Sequence, residues 1–348
     1  MKYVVMILCL CGVLEAKNYA EDENVTIFIE KLVKNYEMNQ TKLEKLFMNV
    51  QEYKAPLRLF AIRAKKKVSS TPKLKSDTVV AVKKAPTGTW EKYSRYKVND
   101  RMVNRGVAFI HKHQTIFDKV EKKYGIPTAY IAAIIGIETL YGKQVGTYKV
   151  LDNLIALSFE KNRRQKFFKK ELEKFLHLAQ TEAFNPRNVN GSYAAAIGLG
   201  QFIPSNYEAY GVDYDGDGHI TLQRAGDAIA SIANYFKKNG WQTGEVVATR
   251  AQYEGNRFDR LKTGYKITYA PDELVGIKAR NSWNYDKKIR LIKLNKKNYD
   301  ELWFAAKNFF VITRYNHSSY YAMSVHQLAK KIKKKRDENN SHNGQQKK

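Results

Sequence analysis

Ile126-Pro-Thr-Ala-Tyr-Ile-Ala-Ala-Ile-Ile-Gly-Ile-Glu-Thr-Leu-Tyr-Gly-Lys-Gln-Val-Gly146 is apolar for most of its length and carries one carboxylate, Glu138. Pro127 predicts a helix start, because its missing N–H is not needed there. At helical spacing Ile131, Ile134, Ile135 and Glu138 share one face. A carboxylic acid that loses water on a core-facing side acquires a raised pKa and stays protonated near neutral pH, as a general acid must. The same residue rolled outward, or paired with a lysine, is an ordinary solvated glutamate. The stretch alone leaves both readings open.

Outward from it, 348 residues with 43% hydrophobic and 12% aromatic content give ample core for two or three domains. Met1-Lys2-Tyr3 followed by the apolar run Val4 to Leu14 reads as a secretory signal peptide, 1–16, too short to span a bilayer. Cys9 and Cys11 both fall inside it, so the mature chain is expected to have neither disulfide nor catalytic thiol. Leu10 makes Cys11 a poor lipoprotein site; an exported soluble protein is favoured, and outer-membrane anchoring stays open. A net charge of +27 suits an anionic partner such as a cell-wall polymer, lipid headgroups or nucleic acid. The lysine runs at 65–67, 83–84 and 330–336 read equally well as a solubilising surface.

Apolar spacing predicts two helices between Val25 and Tyr53, broken at Asn39-Gln40-Thr41, in an N-terminal helical domain, 21–64. A basic linker and lead-in, 65–99, precedes a helical core, 100–261. Within it are expected a long helix from Asp100 to Gly125, the Glu138 helix, helices over 151–157 and 165–180, and an amphipathic helix over 225–238. Short alternating runs at 265–269, 273–279 and 289–294 predict a small antiparallel β domain, 262–312. A cleft segment with a C-terminal helix, 313–336, and a disordered polar tail, 337–348, complete the chain.

Three further constellations carry chemistry. Asp213-Tyr-Asp215-Gly-Asp217-Gly-His219 places acidic oxygens at positions 1, 3 and 5 and an inward carbonyl, that of His219, at position 7, as a calcium loop opens. Arg224 stands where the closing Glu belongs, so Asp227 must complete a longer loop, which otherwise is only an acidic turn. The run Asn190 to Ser205 joins small residues to Ser192, Gln201 and Phe202; its Gly198-Leu-Gly200 lacks the strand and third glycine of a dinucleotide loop. Thr313 to Ala322 is dense in polar and aromatic groups, and Tyr315, Asn316 and Tyr321 suit a saccharide cleft, although core tyrosines look the same in sequence. No serine-hydrolase elbow, zinc-protease motif or phosphate loop occurs.

Together Ile134 to Thr139, Leu151-Asp152, Leu157-Ser-Phe159 with Arg163-Arg164, Gly191-Ser192 to Pro204, the Asp213 loop and Thr313 to Ser318 resemble the membrane-bound lytic murein transglycosylase B family. The resemblance implies a mainly α, α+β fold: a lysozyme-like helical core with an EF-hand-like calcium loop, a flanking helical domain and a small antiparallel β domain. It implies a peptidoglycan lytic transglycosylase with Glu138 as sole catalytic carboxylate, acid first and base second, forming 1,6-anhydromuramoyl ends without water. Ser192, Gln201, Phe202, Tyr235, Tyr315, Asn316 and Tyr321 would bind the glycan, with Arg163 and Arg164 toward its carboxylates. Asp213, Asp215, Asp217, His219 and Asp227 would hold a structural Ca2+, with no cofactor for catalysis. The expected setting is the periplasm and the expected partners are peptidoglycan strands, with cell-wall synthesis or remodelling proteins as further candidates and no nucleic acid. Leu140-Tyr141 departs from the basic-aromatic pair expected there, which would alter a subsite contact. The competing readings are a hydrolytic muramidase using Glu138 with water, and a non-catalytic basic envelope-binding protein.

Overall fold

The computed structural model describes residues 16–62, 88–255 and 257–345. The expected signal peptide, except Ala16, and the linker residues 65–87 lie outside these. In chain order the helices are α1 (Glu23–Tyr36), α2 (Gln40–Leu46), α3 (Lys54–Phe60), α4 (Thr89–Ser94), α5 (Asp100–Lys112), α6 (Gln114–Tyr124), α7 (Thr128–Thr139), α8 (Val150–Phe159), α9 (Gln165–Thr181), α10 (Pro204–Tyr210), α11 (Ala225–Lys238), α12 (Lys307–Tyr315) and α13 (Ser319–Gln345). The strands are β1 (Ala16–Lys17), β2 (Val50–Gln51), β3 (Tyr148–Lys149), β4 (Asn190–Gly191), β5 (Ala248–Tyr253), β6 (Ile277–Ala279), β7 (Arg290–Asn295) and β8 (Asp300–Ala305). The mainly α class with small antiparallel sheets is as the sequence predicts. No described helix is long and apolar enough to cross a membrane.

The chain divides into two compact units. One holds the described residues up to 62 with 146–197 and 201–209; the other holds 88–145, 198–200 and 210 onward. In the first, Asp22 and Asn39 cap α1 and α2 by accepting from Asn24 N and Lys42 N. Phe28, Phe47 and Phe159 meet edge to face at 5.8–6.2 Å over the buried α8. Pro56 is accommodated in the first turn of α3, a helix that the sequence reading missed. β3 and β4 pair Tyr148 with Gly191. Gly146, at φ +99°, is required beside them: a Cβ there would lie 2.1 Å from the Gly191 backbone.

In the second unit the predicted helix from Asp100 to Gly125 breaks at His113, and its cap is Asn99, which accepts from Met102 N at 3.0 Å. Gly125 closes α6 in the left-handed conformation, as expected. α7 packs against α5, α11 and α13. Apart from Tyr130, Ile137 and Glu138 every residue of α7 is buried, so the helix is a core element on nearly all sides, beyond the single apolar face read from its spacing. The sheet, ordered β6-β5-β8-β7 and wholly antiparallel, begins at Ala248, before the expected residue 262. Residues 265–269 form no strand and contribute only the bridge from Tyr269 to Ile289. α13 continues to Gln345 through the segment expected to be disordered. Ion pairs one turn apart, Lys333 with Asp337 at 2.8 Å and Lys334 with Glu338 at 3.8 Å, favour that continuation.

Candidate active site

α7 stops one residue beyond Glu138, and its stop is held in an unusual way. Leu140, Tyr141 and Gly142 have φ of 51°, 60° and 85°, two of them at non-glycine residues. Such residues cost roughly 1 kcal/mol or more each, so local contacts must hold them. The Thr139 hydroxyl proton is shared between the Ile135 and Leu199 carbonyls at 3.0 and 3.1 Å, and its oxygen accepts from Gly142 N at 3.1 Å. Tyr141 folds inward and donates its hydroxyl to Met102 O at 3.0 Å. Its ring lies over Gly136, where a Cβ would come within 2.6 Å of it. Tyr141 is therefore a packing residue, and the sequence departure at 140–141 does not present it as the subsite contact expected.

The carboxyl of Glu138 keeps some solvent access yet is crowded by protein. Its Oε1 accepts from the hydroxyl of Tyr321, 2.6 Å away in the first turn of α13. Burial raises the Glu138 pKa, while the Tyr321 hydrogen bond and the charge of Lys97 pull it back. Tyr321 is 2% exposed, and the Tyr315 ring stacks nearly parallel to it, 8° apart at 6.4 Å between centroids. Tyr315 donates its hydroxyl to Gly200 O, and Tyr235 meets the Tyr315 ring edge-on at 4.9 Å. Burial and the charge of Glu138 hold both Tyr315 and Tyr321 far above the ordinary phenol pKa, which keeps them neutral donors. Asn316, the C-cap of α12, is exposed.

The structure thus joins Glu138, Tyr235, Tyr315 and Tyr321 in one unit. Two participants were missed. Lys97 acts on Glu138, and burial first, then the charge of Glu138, raise the pKa of Tyr93. Both lie at or just after α4, in a stretch read as linker because of its lysines. The available signal was the spacing of Trp90 and Tyr93: buried Trp90 meets Tyr320 edge-on at 5.3 Å, and Tyr93 meets it at 5.6 Å.

The remaining expected glycan contacts belong to the first unit. Ser192 Oγ accepts from Ala194 N at 3.2 Å and Ala196 N at 3.0 Å, so its oxygen shapes its own turn and only its proton is left to donate. Gln201 has φ 52°. Phe202 is 1% exposed and bridges Ile197, so its ring offers no face to a sugar, contrary to the expectation; an aromatic inside a tight bridge is drawn into the core. Arg163 and Arg164 are exposed. Arg163 donates to Leu59 O at 3.3 Å, and the Arg164 guanidinium lies 4.0 Å over the Phe167 ring.

In the acidic loop, carboxylate oxygens of Asp213, Asp215 and Asp227 come within 4.8 Å of one another, a set able to hold a metal ion. Asp217 does not join them. It pairs with Arg224, which also lies 3.7 Å from Asp215, and it accepts from His219 N at 2.9 Å. The residue standing in place of the closing Glu has thus taken one expected ligand. Asp227 is buried at 1% exposure and accepts from Tyr214 N and Thr221 N at 3.0 and 2.6 Å. Burial first, and then the charges of Asp215 and Asp213, raise its pKa, a penalty that a cation would remove. The donor set fits a hard, oxygen-loving cation.

A family profile described as the transglycosylase SLT domain matches residues 20–330. Membrane-bound lytic murein transglycosylase B of Escherichia coli K12 is 34% identical over 317 residues, covering 90% of this chain and 84% of that protein. Among solved structures, the E. coli lytic transglycosylase Slt35 in complex with bulgecin A superposes with a TM-score of 0.81 at 33% identity, covering 93% of this chain and 96% of that one. The same enzyme in complex with calcium matches equally well, with a TM-score of 0.81, 33% identity and coverage of 93% and 96%. SltB3 of Pseudomonas aeruginosa in complex with NAG-anhNAM-pentapeptide has a TM-score of 0.74 at 26% identity, covering 90% and 79%.

Proposed function

The chain belongs to the transglycosylase SLT family of lytic murein transglycosylases, and on that premise we propose that Glu138 carries its chemistry on peptidoglycan. The observation that carries the assignment is the hydrogen bond from Tyr321 to the crowded carboxyl of Glu138 at the end of a buried helix. Protonated, Glu138 donates to the glycosidic oxygen between N-acetylmuramic acid and N-acetylglucosamine, and the C1–O bond breaks. The carboxylate left behind is the form that the Tyr321 hydroxyl stabilises. It then takes the proton of the muramoyl C6 hydroxyl, whose oxygen closes onto C1 to give the 1,6-anhydro end. Acid and carboxylate are regenerated in turn, and no water is consumed.

Hydrolytic glycosidases pair two carboxylates within about 5–9.5 Å. Among the described residues, the side chains that shift the Glu138 pKa are Tyr321 and Lys97, neither of them a carboxylate, which supports the internal hydroxyl over a water. Tyr235, Tyr315, Tyr321 and Asn316 would line the reacting sugar's subsite. The Ser192 proton and Gln201 would also bind the glycan, and the exposed Arg163 and Arg164 its carboxylates. Asp213, Asp215 and Asp227 would hold a structural Ca2+, joined by the His219 carbonyl, and by Asp217 only if Arg224 releases it. A periplasmic location follows from the substrate and the expected export signal. Mass spectrometry of murein digests tests the reaction. Anhydro-ended products, abolished in Glu138→Gln, are expected; reducing-end products would establish the muramidase instead, and an unimpaired variant would remove Glu138 from the mechanism.

A further inference from the structure

Among the described residues one cation acts on Glu138, and it is held without a partner of its own. Lys97 sits partly buried in the turn between α4 and α5. That turn is fastened at both ends: Lys97 N and Val98 N donate to Ser94 O at 2.9 and 2.8 Å, and Asn99 Nδ2 donates to Arg95 O at 2.9 Å. From it the Lys97 ammonium lies 5.4 Å over the Tyr93 ring. Trp90 and Tyr320 set that ring in turn, at 6.4 and 5.6 Å between centroids. Tyr320 directly precedes Tyr321, whose hydroxyl meets Glu138. Among the described residues no carboxylate pairs with the Lys97 ammonium and no acceptor hydrogen-bonds it. Lys31 and Lys174, by contrast, are paired with glutamates at 2.6 and 2.9 Å.

What an unpaired cation does there depends on what else faces Glu138. Tyr321 of α13, Tyr315 of α12 and Tyr93 of α4 are neutral, burial holding each phenol above its ordinary range. Tyr235 of α11 meets Tyr315, Arg105 of α5 acts on Tyr141, and Glu121 of α6 accepts from Thr128 N at the opposite end of α7. The positive charge felt by the Glu138 carboxyl is therefore that of Lys97. Tyr321 occupies Oε1. A lysine in direct contact would occupy Oε2 as well, and would compete for it with the glycosidic oxygen and the C6 hydroxyl. A lysine held off by an aromatic face stabilises the carboxylate through space and leaves that oxygen to the substrate. The ring also attracts the ammonium without cancelling its charge, as a carboxylate partner would.

We propose that Lys97, docked on Tyr93, is a positioning residue of this site: an unpaired cation that steadies the Glu138 carboxylate between its acid and its base step. That role rests on the chemistry assigned to Glu138 above. Anhydro-product release from soluble murein glycan strands is followed across pH in Lys97→Met, in Lys97→Arg and in Lys92→Met, which removes an equal charge from the exposed side of α4. Without the cation burial is less opposed, so Glu138 keeps its proton to higher pH. Lys97→Met is expected to lower kcat roughly three- to tenfold and to move the alkaline fall in kcat/KM upward by about 0.5–1 pH unit, one unit corresponding to a tenfold change. Lys97→Arg should return that limb to its wild-type position, and Lys92→Met should leave it there. Lys97 is only partly buried, so the variants should fold, as their melting curves will check. A limb unmoved in Lys97→Met, moved equally in Lys92→Met, or not restored by arginine would overturn the proposal. Glu138→Gln is assayed alongside. If it is inactive while the Lys97→Met limb stays in place, only the role of Lys97 is refuted; if it keeps wild-type activity, the function above fails in its choice of acid, wherever the limb lies.

Discussion

Replacing Tyr321 by Phe isolates one hydrogen bond. The ring, its parallel stacking on Tyr315 and its burial are kept, while the donor 2.6 Å from Glu138 Oε1 is lost. Hydrogen bonds to charged groups contribute about 1.5–3 kcal/mol. Because the bond strengthens as Glu138 gives up its proton, the loss falls on the transition state, and 1.36 kcal/mol is tenfold in rate. The expected result is a kcat for anhydro-product release reduced roughly ten- to 150-fold, with a much smaller change in KM. A second readout separates this from a packing defect. Tyr321 holds the Glu138 pKa down against burial, so its removal raises that pKa further. Glu138 then stays protonated to higher pH, and the alkaline fall in kcat/KM shifts upward in Tyr321→Phe. The melting temperature should change little. An unchanged kcat with an unmoved pH limb would refute the reasoning, whatever the stability.

Glu138→Gln should abolish anhydro products and also stabilise the fold, more at pH 8 than at pH 4. The folded-state pKa of Glu138 is raised, so the wild type is unpenalised below the unfolded value and loses stability as pH climbs from that value through the folded one. A melt series across pH checks this, and an equal gain at both ends would contradict it. Calcium at about a hundred times its Kd should stabilise the protein by about 2.7 kcal/mol in chemical denaturation, and Asp227→Asn should remove the effect. Gly136→Ala should cost about 1–3 kcal/mol in the same assay, because its Cβ would meet the Tyr141 ring at 2.6 Å. Gly136→Ala combined with Tyr141→Ala should then cost less than the two separate losses added together.

What the sequence disclosed and what it hid follow from how each feature is stabilised. Glu138 was legible because a carboxylate in an apolar helix breaks a strong pattern. The acidic loop was legible because ligand spacing is local. The break at His113 was not, since Ile110 and Phe117 keep helical spacing across it and both are fully buried. β5 and β8 were missed because charge interrupts their alternation, and only the fold shows that Arg250 and Glu301 pair across the two strands at 2.9 Å. Lys97 was lost in lysine-rich composition, where no local rule separates a lysine that faces a carboxylate from one that faces water. Phe202 misled for the opposite reason: it follows polar Gln201 in sequence but bridges Ile197 in space.

The same logic explains why an almost wholly buried helix ends at the candidate acid. A general acid must be held near one geometry, and a residue in the last turn of a helix normally frays. Here α7 is packed on nearly all sides, and its end is fixed by Thr139 to two carbonyls and one N–H. The left-handed turn at Leu140 and Tyr141 is sustained by burying Tyr141 against Gly136 and Met102. The strain is thus placed immediately after Glu138, where it stops the helix abruptly and leaves the carboxyl facing Tyr321 instead of a further turn. Packing supplies the rigidity and the turn supplies the opening. A helix with only one apolar face would have given the first requirement less fully, and a relaxed C-terminus would not have given the second.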